Sequence, residues 1–305
     1  MKKGILAIAV LLIAVIGAVY VFIPSRLIIS DAGIVNCSLP AAQRFLFEEK
    51  NWRGWINPDS LNRSGYNYRV TNTTFTKTDI VIKSDNQEYI TTLRLLPFNT
   101  DSTGIEWGDT LYTGNNPFTR LGQYRKAIAL KKQMDAVMGY MTSFLNDKSK
   151  IYSANIFRTQ LKDEPLLSKR VFMKHYPTAD DAHKLIDEVR KNIAVQGDSA
   201  VGSPMKYSSA IDSNNFELMV GVPTSRLLKS NNGFIAKGLV GGNLIATEIR
   251  GGEWTISEAW KNIRQYKADY KLSSPAIPFE SMITDRRKET DTTKWITRIY
   301  YPLRD

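Results

Sequence analysis

The sequence predicts an α+β protein in which an N-terminal transmembrane helix precedes two soluble domains. An uncharged apolar run from Gly4 to Ile23 predicts the membrane helix. A strand meander followed by one long amphipathic helix at 118–146 predicts the first domain, and a βαββ pattern that occurs twice predicts the second. A length of 305 residues suits about two domains. We therefore expect an anchor at 1–26 and domains at 27–150 and 151–305.

The apolar run at 4–23 is long enough to be a membrane anchor, since about 20 apolar residues in a helix span the hydrocarbon core. Lys2 and Lys3 precede the run, and only Arg26 follows it closely, so the positive-inside rule places the N-terminus in the cytoplasm. The expected location is the cell membrane, with a single pass and the soluble domains on the extracytoplasmic (periplasmic) side. A cleaved signal peptide is the alternative, although its apolar run is normally shorter.

Composition limits the classes of function. The net charge is +11, but the basic residues are scattered without a zinc-finger, basic-heptad or helix-turn-helix pattern. We therefore expect a solvated basic surface and no nucleic acid partner. The single cysteine, Cys37, excludes an intramolecular disulfide and is expected to be a buried small hydrophobe. His175 and His183 lie on either side of Pro177 and do not form a metal pair on one helix, so we expect no metal and no cofactor.

The first soluble domain has the pattern of a strand, two short helical segments, an antiparallel meander and a long helix. Turn formers at Asp85-Asn86 and Asn99-Thr100-Asp101 separate strands of the meander. The expected elements are a strand at 27–36, a helix at 40–48, a helical corner at 51–58, strands between 66 and 113, and a helix at 118–146.

Two segments of this domain, FEEKNWRGWINPD near its start and NPFTRLGQYRKAIALKKQMDAVMGYMTSFL at its end, resemble the START-like (SRPBCC, polyketide-cyclase) superfamily. The resemblance implies a helix-grip fold with a hydrophobic cavity between the long helix and the sheet. Met134, Met138 and Met141 are candidates to line that cavity, because methionine adapts to irregular apolar space. A simple packed core is the alternative.

The second soluble domain reads as βαββ twice. Thr178 with acids in the following turn predicts the start of the first helix, and Thr255 or Ser257 that of the second. Asp212 to Asn215 between alternating runs predicts a hairpin. A polar stretch at 147–150 is the expected linker. The expected strands are 155–161, 168–175, 204–210, 215–222, 242–250, 277–284 and 294–301. One expected helix runs from the Thr178 cap to about 195, and the other spans 255–272.

Several short segments of this domain occur in a characteristic order: PMKYSS, FELMVGVPTS, the glycine pair 251–252, Trp260, PFESMITD and WITRIYYP. As a set they resemble GyrI-like small-molecule-binding domains, the effector-binding modules of AraC- and MerR-type regulators. The resemblance implies a ligand groove between the two βαββ halves. It also implies that Glu280 contacts the ligand and that Tyr207 lines the groove, with Trp260 as a further wall. Met282 stands where the family usually has a tyrosine.

The function that these patterns favour is a membrane-anchored small-molecule-binding protein that senses or sequesters a hydrophobic or cationic ligand. A carboxylate among aromatic residues, as at Glu280, suits a cationic or polar ligand. The alternatives are an outward-facing strand glutamate, a hydrolase with Glu280 as general base, and a structural envelope protein. Ser203 to Lys206 matches S-x-x-K, but the companion motifs of that acyl-enzyme family are missing.

Overall fold

The computed structural model describes residues 2–56, 65–84, 87–239 and 241–304. The chain forms two compact units, Met1–Asp147 and Lys148–Asp305. The expected turn at Asp85-Asn86 lies outside the described residues, as does part of the expected helical corner.

Helix α1, Lys2–Phe22, contains a segment at Lys3–Phe22 with a mean hydropathy of 3.0 and none of its residues buried in the protein. Its length and composition suffice to cross a membrane. At its C-terminal end, the guanidinium of the buried Arg120 lies 4.8 Å from the centre of the Tyr20 ring. That end of the helix is therefore packed against its own unit.

The N-terminal unit is one antiparallel sheet with helices. Its elements are β1 (Arg26–Val35), α2 (Leu39–Leu46), a 3₁₀ helix (Glu49–Gly54), β2 (Tyr66–Thr71), β3 (Lys77–Ser84), β4 (Gln87–Pro97), β5 (Thr103–Tyr112) and α3 (Pro117–Leu145). The strands are arranged in the order β1-β5-β4-β3-β2. This is the order of elements that the sequence predicts, and α3 packs against β1. The side chain of Asn116 caps α3 by accepting hydrogen bonds from two backbone N–H groups of its first turn.

The core of this unit fills the space under α3. Met134 and Met141 have no exposed surface and Met138 is 4% exposed. The buried Trp107 donates a hydrogen bond of 2.7 Å to the hydroxyl of Thr91. Two surface depressions of this unit are lined by other residues, from β1, β4, β5 and the outer face of α3. The three methionines therefore act as packing side chains, and Cys37 is buried as expected.

The C-terminal unit begins directly with a short helix, α4 (Lys148–Tyr152), where the sequence predicts a polar linker. Its other elements are β6 (Ile156–Leu161), β7 (Glu164–Met173), α5 (Ala179–Val195), β8 (Met205–Ala210), β9 (Phe216–Pro223), β10 (Phe234–Leu239), β11 (Gly242–Arg250), α6 (Glu253–Asp269), β12 (Phe279–Met282), a 3₁₀ helix (Thr292–Lys294) and β13 (Ile296–Pro302). Strand β10 has no counterpart among the predicted elements.

Eight strands of this unit form one antiparallel sheet in the order β10-β7-β9-β8-β12-β13-β11-β6. Strands β8 and β12 join the two four-stranded groups in the middle of the sheet. The predicted hairpin is present, since β8 and β9 pair from Met205 opposite Gly221 to Ala210 opposite Phe216. Strand β6 pairs with β11, and β10 pairs with β7, at the two outer edges.

Helix α5 covers one face of this sheet. Its apolar residues pack with Leu167, Leu218 and Val220 in a buried cluster. Thr178 caps the helix as predicted, in a reciprocal capping box with Asp181. Residues directly opposite each other in an antiparallel pair share a face, and neighbours along a strand alternate. The residues between these core positions therefore lie on the other face of the sheet.

Helix α6 begins earlier than predicted. Its N-cap is Gly252 and its first residue is Glu253, so a start at Thr255 or Ser257 is wrong. Gly251 has a φ of 141°, a conformation that L side chains rarely adopt, and this allows the chain to turn from β11 into the helix. The usual preference of N-caps for hydroxyl side chains was therefore misleading here.

Candidate functional site

Glu280 lies in a buried cluster with Lys206 and Trp260. The indole N–H of Trp260 donates a hydrogen bond of 2.8 Å to Oε1 of Glu280. The ammonium of Lys206 lies 3.3 Å from Oε2, and the two residues are 8% and 7% exposed. Oε2 accepts no well-directed hydrogen bond from the described residues. The charge of Glu280 is therefore compensated inside the protein by a lysine.

The register of the sheet shows on which face of the sheet this cluster lies. Glu280 stands opposite Lys206, and Lys206 stands opposite Val220, which belongs to the core under α5. Paired residues share a face, so Glu280 and Lys206 are on the face that carries the helices. Trp260, on α6, reaches Glu280 from that side.

The opposite face of the sheet lines a cavity of about 540 Å³. Binding sites for small molecules commonly have volumes of about 300–1,000 Å³ and mostly apolar walls. Strands of both four-stranded groups contribute to the wall, together with the segment at 275–277. Its apolar side chains are Leu161, Leu166, Met205, Tyr207, Met219, Leu239, Leu244, Pro275, Ala276, Ile277, Phe279, Pro302 and Leu303.

The three predicted ligand-binding residues have different positions relative to this cavity. Tyr207 lines it, opposite Met219 in the β8–β9 pair. Glu280 and Trp260 are not among the residues of its wall, although the neighbour Phe279 is. The structure therefore brings Glu280 and Trp260 together with each other and leaves Tyr207 on the other face of the sheet.

Two lysines, Lys206 and Lys237, border the cavity, and the side chain of Lys206 is paired with Glu280 on the helix-bearing face. Within the described part of the chain, the wall contains no aspartate or glutamate. The described residues also contain no cluster of histidine, cysteine and carboxylate side chains that could hold a metal ion. A cationic ligand in this cavity would find no counter-charge in that wall.

A second, more polar cleft of about 400 Å³ lies near the first turns of α5 and the segment after β12. Two of its three arginines, Arg286 and Arg287, have carboxylate partners. Arg286 donates to Glu253 at 2.6 Å and to Thr297 at 3.0 Å, and Arg287 donates to both oxygens of Asp187 at 2.8 and 2.9 Å. Burial, followed by repulsion from these two arginines, lowers the pKa of His183. These contacts tie elements of the fold together.

Sequence reasoning missed Lys237 and the glycines at 241–242 as residues of the wall. Lys237 lies on β10, whose segment FIAKGL has only a short alternation and a glycine. The glycine pair is visible in the sequence, and glycine at 241 is explained by close backbone packing. A Cβ on Gly241 would lie 3.0 Å from the backbone oxygen of Leu161. Only the pairing of distant strands shows that these residues share one cavity.

No protein-family model matches the chain, and no curated protein matches it. Solved structures do. The crystal structure of the EcmrR C-terminal domain is 16% identical and covers 50% of this chain and 98% of its own, with a TM-score of 0.44. EcmrR in a DNA complex, solved by cryo-EM, is 16% identical over 61% of this chain and 70% of its own, with a TM-score of 0.46. SAV2435 bound to tetraphenylphosphonium is 14% identical over 49% of this chain and 94% of its own, with a TM-score of 0.32.

Proposed function

We propose that this chain is a membrane-anchored protein whose C-terminal unit binds a small, mostly apolar molecule in the cavity of about 540 Å³. The observation that carries the proposal is the cavity itself, with a wall made mainly of apolar side chains from both four-stranded groups. Burial of apolar ligand surface against such a wall contributes about 25 cal/mol per Å² to binding. The ligand would be sensed or sequestered.

We further infer that the C-terminal unit is a GyrI-like domain made of two βαββ halves. Each half would consist of a strand, a helix and two strands, β7-α5-β8-β9 and β11-α6-β12-β13. The two helices have the same length, 17 residues. The N-terminal unit has the order of elements that a START-like domain has, and a helix-grip fold is our proposal for it.

The cavity supports the hydrophobic part of the expected ligand chemistry. The solved SAV2435 complex contains a lipophilic cation, tetraphenylphosphonium. In this chain, however, the carboxylate of Glu280 is paired with Lys206 and accepts a hydrogen bond from Trp260, on the helix-bearing face. The same placement weighs against a hydrolase that uses Glu280 as its base, since a general base must reach the proton that it removes.

The anchor is the second part of the proposal. Helix α1 supplies a span of 20 residues with no buried residue, and the positive-inside rule places the two units outside the cytoplasm. A ligand-binding unit there would meet molecules of the membrane surface or of the extracytoplasmic space. A direct role at DNA is not part of the proposal.

The test uses the full chain in lipid nanodiscs and a neutral probe, 2-naphthalenemethanol, measured by isothermal titration calorimetry against empty nanodiscs. We expect saturable binding at one site per chain. Gly242 faces the cavity with Leu244, and a Cβ there meets no atom within 4 Å, so Gly242→Trp should fill the cavity and abolish binding. Gly139→Trp, on the exposed surface of α3, is the matched control. Equal binding by the Gly242→Trp variant would refute the site.

A further inference from the structure

Lys237 is the cation that the cavity presents to a ligand. It stands opposite Leu166 in the β10–β7 pair, so both side chains lie on the cavity face. Lys237 is exposed as a whole residue, which places it at the mouth. Partial burial of its ammonium, followed by repulsion from Arg170, lowers its pKa. The ammonium therefore loses part of its hydration at this place without a compensating carboxylate.

Two other cations near the cavity have carboxylate partners. Lys206 is paired with Glu280 at 3.3 Å, and Arg170 is paired with Glu217 at 2.8 Å. For Lys237, the described residues provide one polar contact, from its ammonium to the sulfur of Met219 at 3.8 Å. A thioether sulfur is a weak acceptor and carries no charge. Lys237 thus remains the uncompensated charge of the wall.

Tyr207 is a second hydrogen-bond donor of the wall. Tyr207 stands directly opposite Met219 in the β8–β9 pair, and Lys237 contacts Met219 from β10. Both residues belong to the wall, and the structure records no hydrogen-bond partner for the Tyr207 hydroxyl among the described residues. Lys237 and Tyr207 are therefore two hydrogen-bond donors of the wall, on strands that both neighbour Met219 or its side chain.

We propose that the cavity takes an anionic amphiphile, a molecule with an apolar body and one carboxylate. The apolar body lies against Leu166, Leu244 and Phe279, and the carboxylate accepts hydrogen bonds from Lys237 and, as a second donor, from Tyr207. This assignment rests on the proposed function, and it replaces the expected preference for a cation by a preference for an anion. A hydrogen bond between charged partners is shorter and stronger than a neutral one.

The test compares three probes of similar size that share one ring system and carry an anionic, a neutral or a cationic head group. They are 2-naphthoate, 2-naphthalenemethanol and 2-naphthylmethylammonium, titrated into the full chain in nanodiscs. We expect 2-naphthoate to bind at least roughly tenfold more tightly than the alcohol, since a charged hydrogen bond is worth about one to two decades of affinity. The ammonium probe should bind most weakly.

Variants of Lys237 test whether the charge of this side chain, and not its size, determines the affinity. Lys237→Met keeps an unbranched side chain of nearly the same length and removes its charge, so the affinity for 2-naphthoate should fall roughly tenfold to the level of the alcohol. The affinity for the alcohol should be unchanged. Lys237→Arg should retain the preference for the anion. Lys184→Met, an exposed position of α5 outside both the cavity and the second cleft, is the control and should change none of the three affinities.

The outcomes distinguish the two proposals. If the alcohol binds in a Gly242-dependent manner but the three probes bind equally, or the ammonium binds most tightly, the cavity is a binding site and the anion preference is wrong. If Lys237→Met and Lys184→Met leave the affinity for 2-naphthoate equally unchanged, Lys237 is not the anchor. If none of the probes binds to the wild-type chain, both the proposed function and this inference fail.

Discussion

Lys206 and Glu280 stand directly opposite each other where β8 meets β12. Each lies at the same distance along the chain from the first residue of the preceding helix, Ala179 for Lys206 and Glu253 for Glu280. The two residues therefore occupy corresponding positions in the two four-stranded groups and form an ion pair across their junction. The pair joins the groups on the helix-bearing face, and the cavity joins them on the other.

The Lys206–Glu280 pair predicts a stability effect. Glu280→Gln leaves the buried ammonium of Lys206 without its partner, and breaking a buried pair in this way typically costs roughly 3–5 kcal/mol. We expect a loss at the lower end of that range in the free energy of unfolding, measured by urea denaturation. The double variant Lys206→Met/Glu280→Met should recover most of the loss, because apolar replacement of a buried pair is often neutral.

The control for this pair is Glu258→Gln, which removes the exposed ion pair with Lys261 on the same helix as Trp260. Its cost should stay within about 1 kcal/mol, since exposed pairs contribute little. A Glu280→Gln variant as stable as Glu258→Gln would show that the junction does not depend on the pair. The affinity for 2-naphthalenemethanol should be the same in both variants, because neither residue faces the cavity.

The capping box of α5 predicts a pH-dependent stability. The hydroxyl of Thr178, then its backbone N–H, and then His175 donate hydrogen bonds to Asp181 and hold the pKa of its carboxyl well below the usual value. A depressed pKa stabilises the fold above the unfolded value of about 3.9. That contribution is lost as the pH falls below it. Thr178→Ala should cost about 1 kcal/mol at pH 7.

The measurement for the capping box is urea unfolding at pH 7 and pH 3. The difference in stability between the wild type and Thr178→Ala should shrink at the lower pH. Below about pH 3.9 the Asp181 carboxyl takes up a proton in the unfolded state while the capped carboxyl of the folded wild type stays ionised, so the advantage of the cap decreases. Thr255→Ala removes a hydroxyl from inside the first turn of α6 and serves as the control, with a pH-independent effect below about 0.5 kcal/mol. A constant difference for Thr178→Ala would contradict the cap.

The division of the chain predicts that each unit folds alone. Cleavage between Asp147 and Lys148 separates two compact units, each with its own sheet and buried core. Fragments 25–147 and 148–305 should each show one cooperative thermal transition by circular dichroism. A fragment without such a transition would show that its core is completed by the other fragment.

The anchor predicts a topology that a reporter can test. An alkaline phosphatase fused after residue 305 should be active only in the extracytoplasmic compartment, because Lys2 and Lys3 hold the short N-terminal end inside. The same fusion to a chain that starts at residue 25 is the control and should be inactive in the cytoplasm. Equal inactivity of the full-length fusion would reverse the proposed orientation.

Local signals in the sequence were sufficient for most of the elements. The apolar stripe of α3 and the Thr178 cap of α5 act within a few turns of helix, so propensity and periodicity reveal them. The turn between β8 and β9 is equally local, since Asp212 accepts a hydrogen bond from the N–H of Asn214. The start of α6 was missed because Gly251 and Gly252 take the role that a hydroxyl usually has.

The surroundings of Glu280 could not be read from the sequence. Its neighbours along the chain suggest a ligand site, but its partners Lys206 and Trp260 are set by the pairing of β8 with β12 and by the packing of α6. Strand β10 could not be predicted for the same reason. Its pairing with β7, and with it the position of Lys237 in the wall, depends on residues far away in the chain. Non-local pairing of this kind leaves no local pattern.

The pairing of β6 with β11, which are separated in the chain by residues 164–239, has a consequence for how the C-terminal unit assembles. Residues 164–239 form a contiguous insert between β6 and β11, and pairing of β7 with β10 brings Glu164 opposite Leu239. The loop that β6 and β11 must then close is only a few residues long, so its entropic cost is small. Pairing can then start at Leu161 opposite Gly242 and extend residue by residue to Ile156 opposite Thr247. Leu161, Gly242 and Leu244 all line the cavity, so its wall is complete only once β6 has paired with β11, and a ligand that fits the cavity stabilises the folded state.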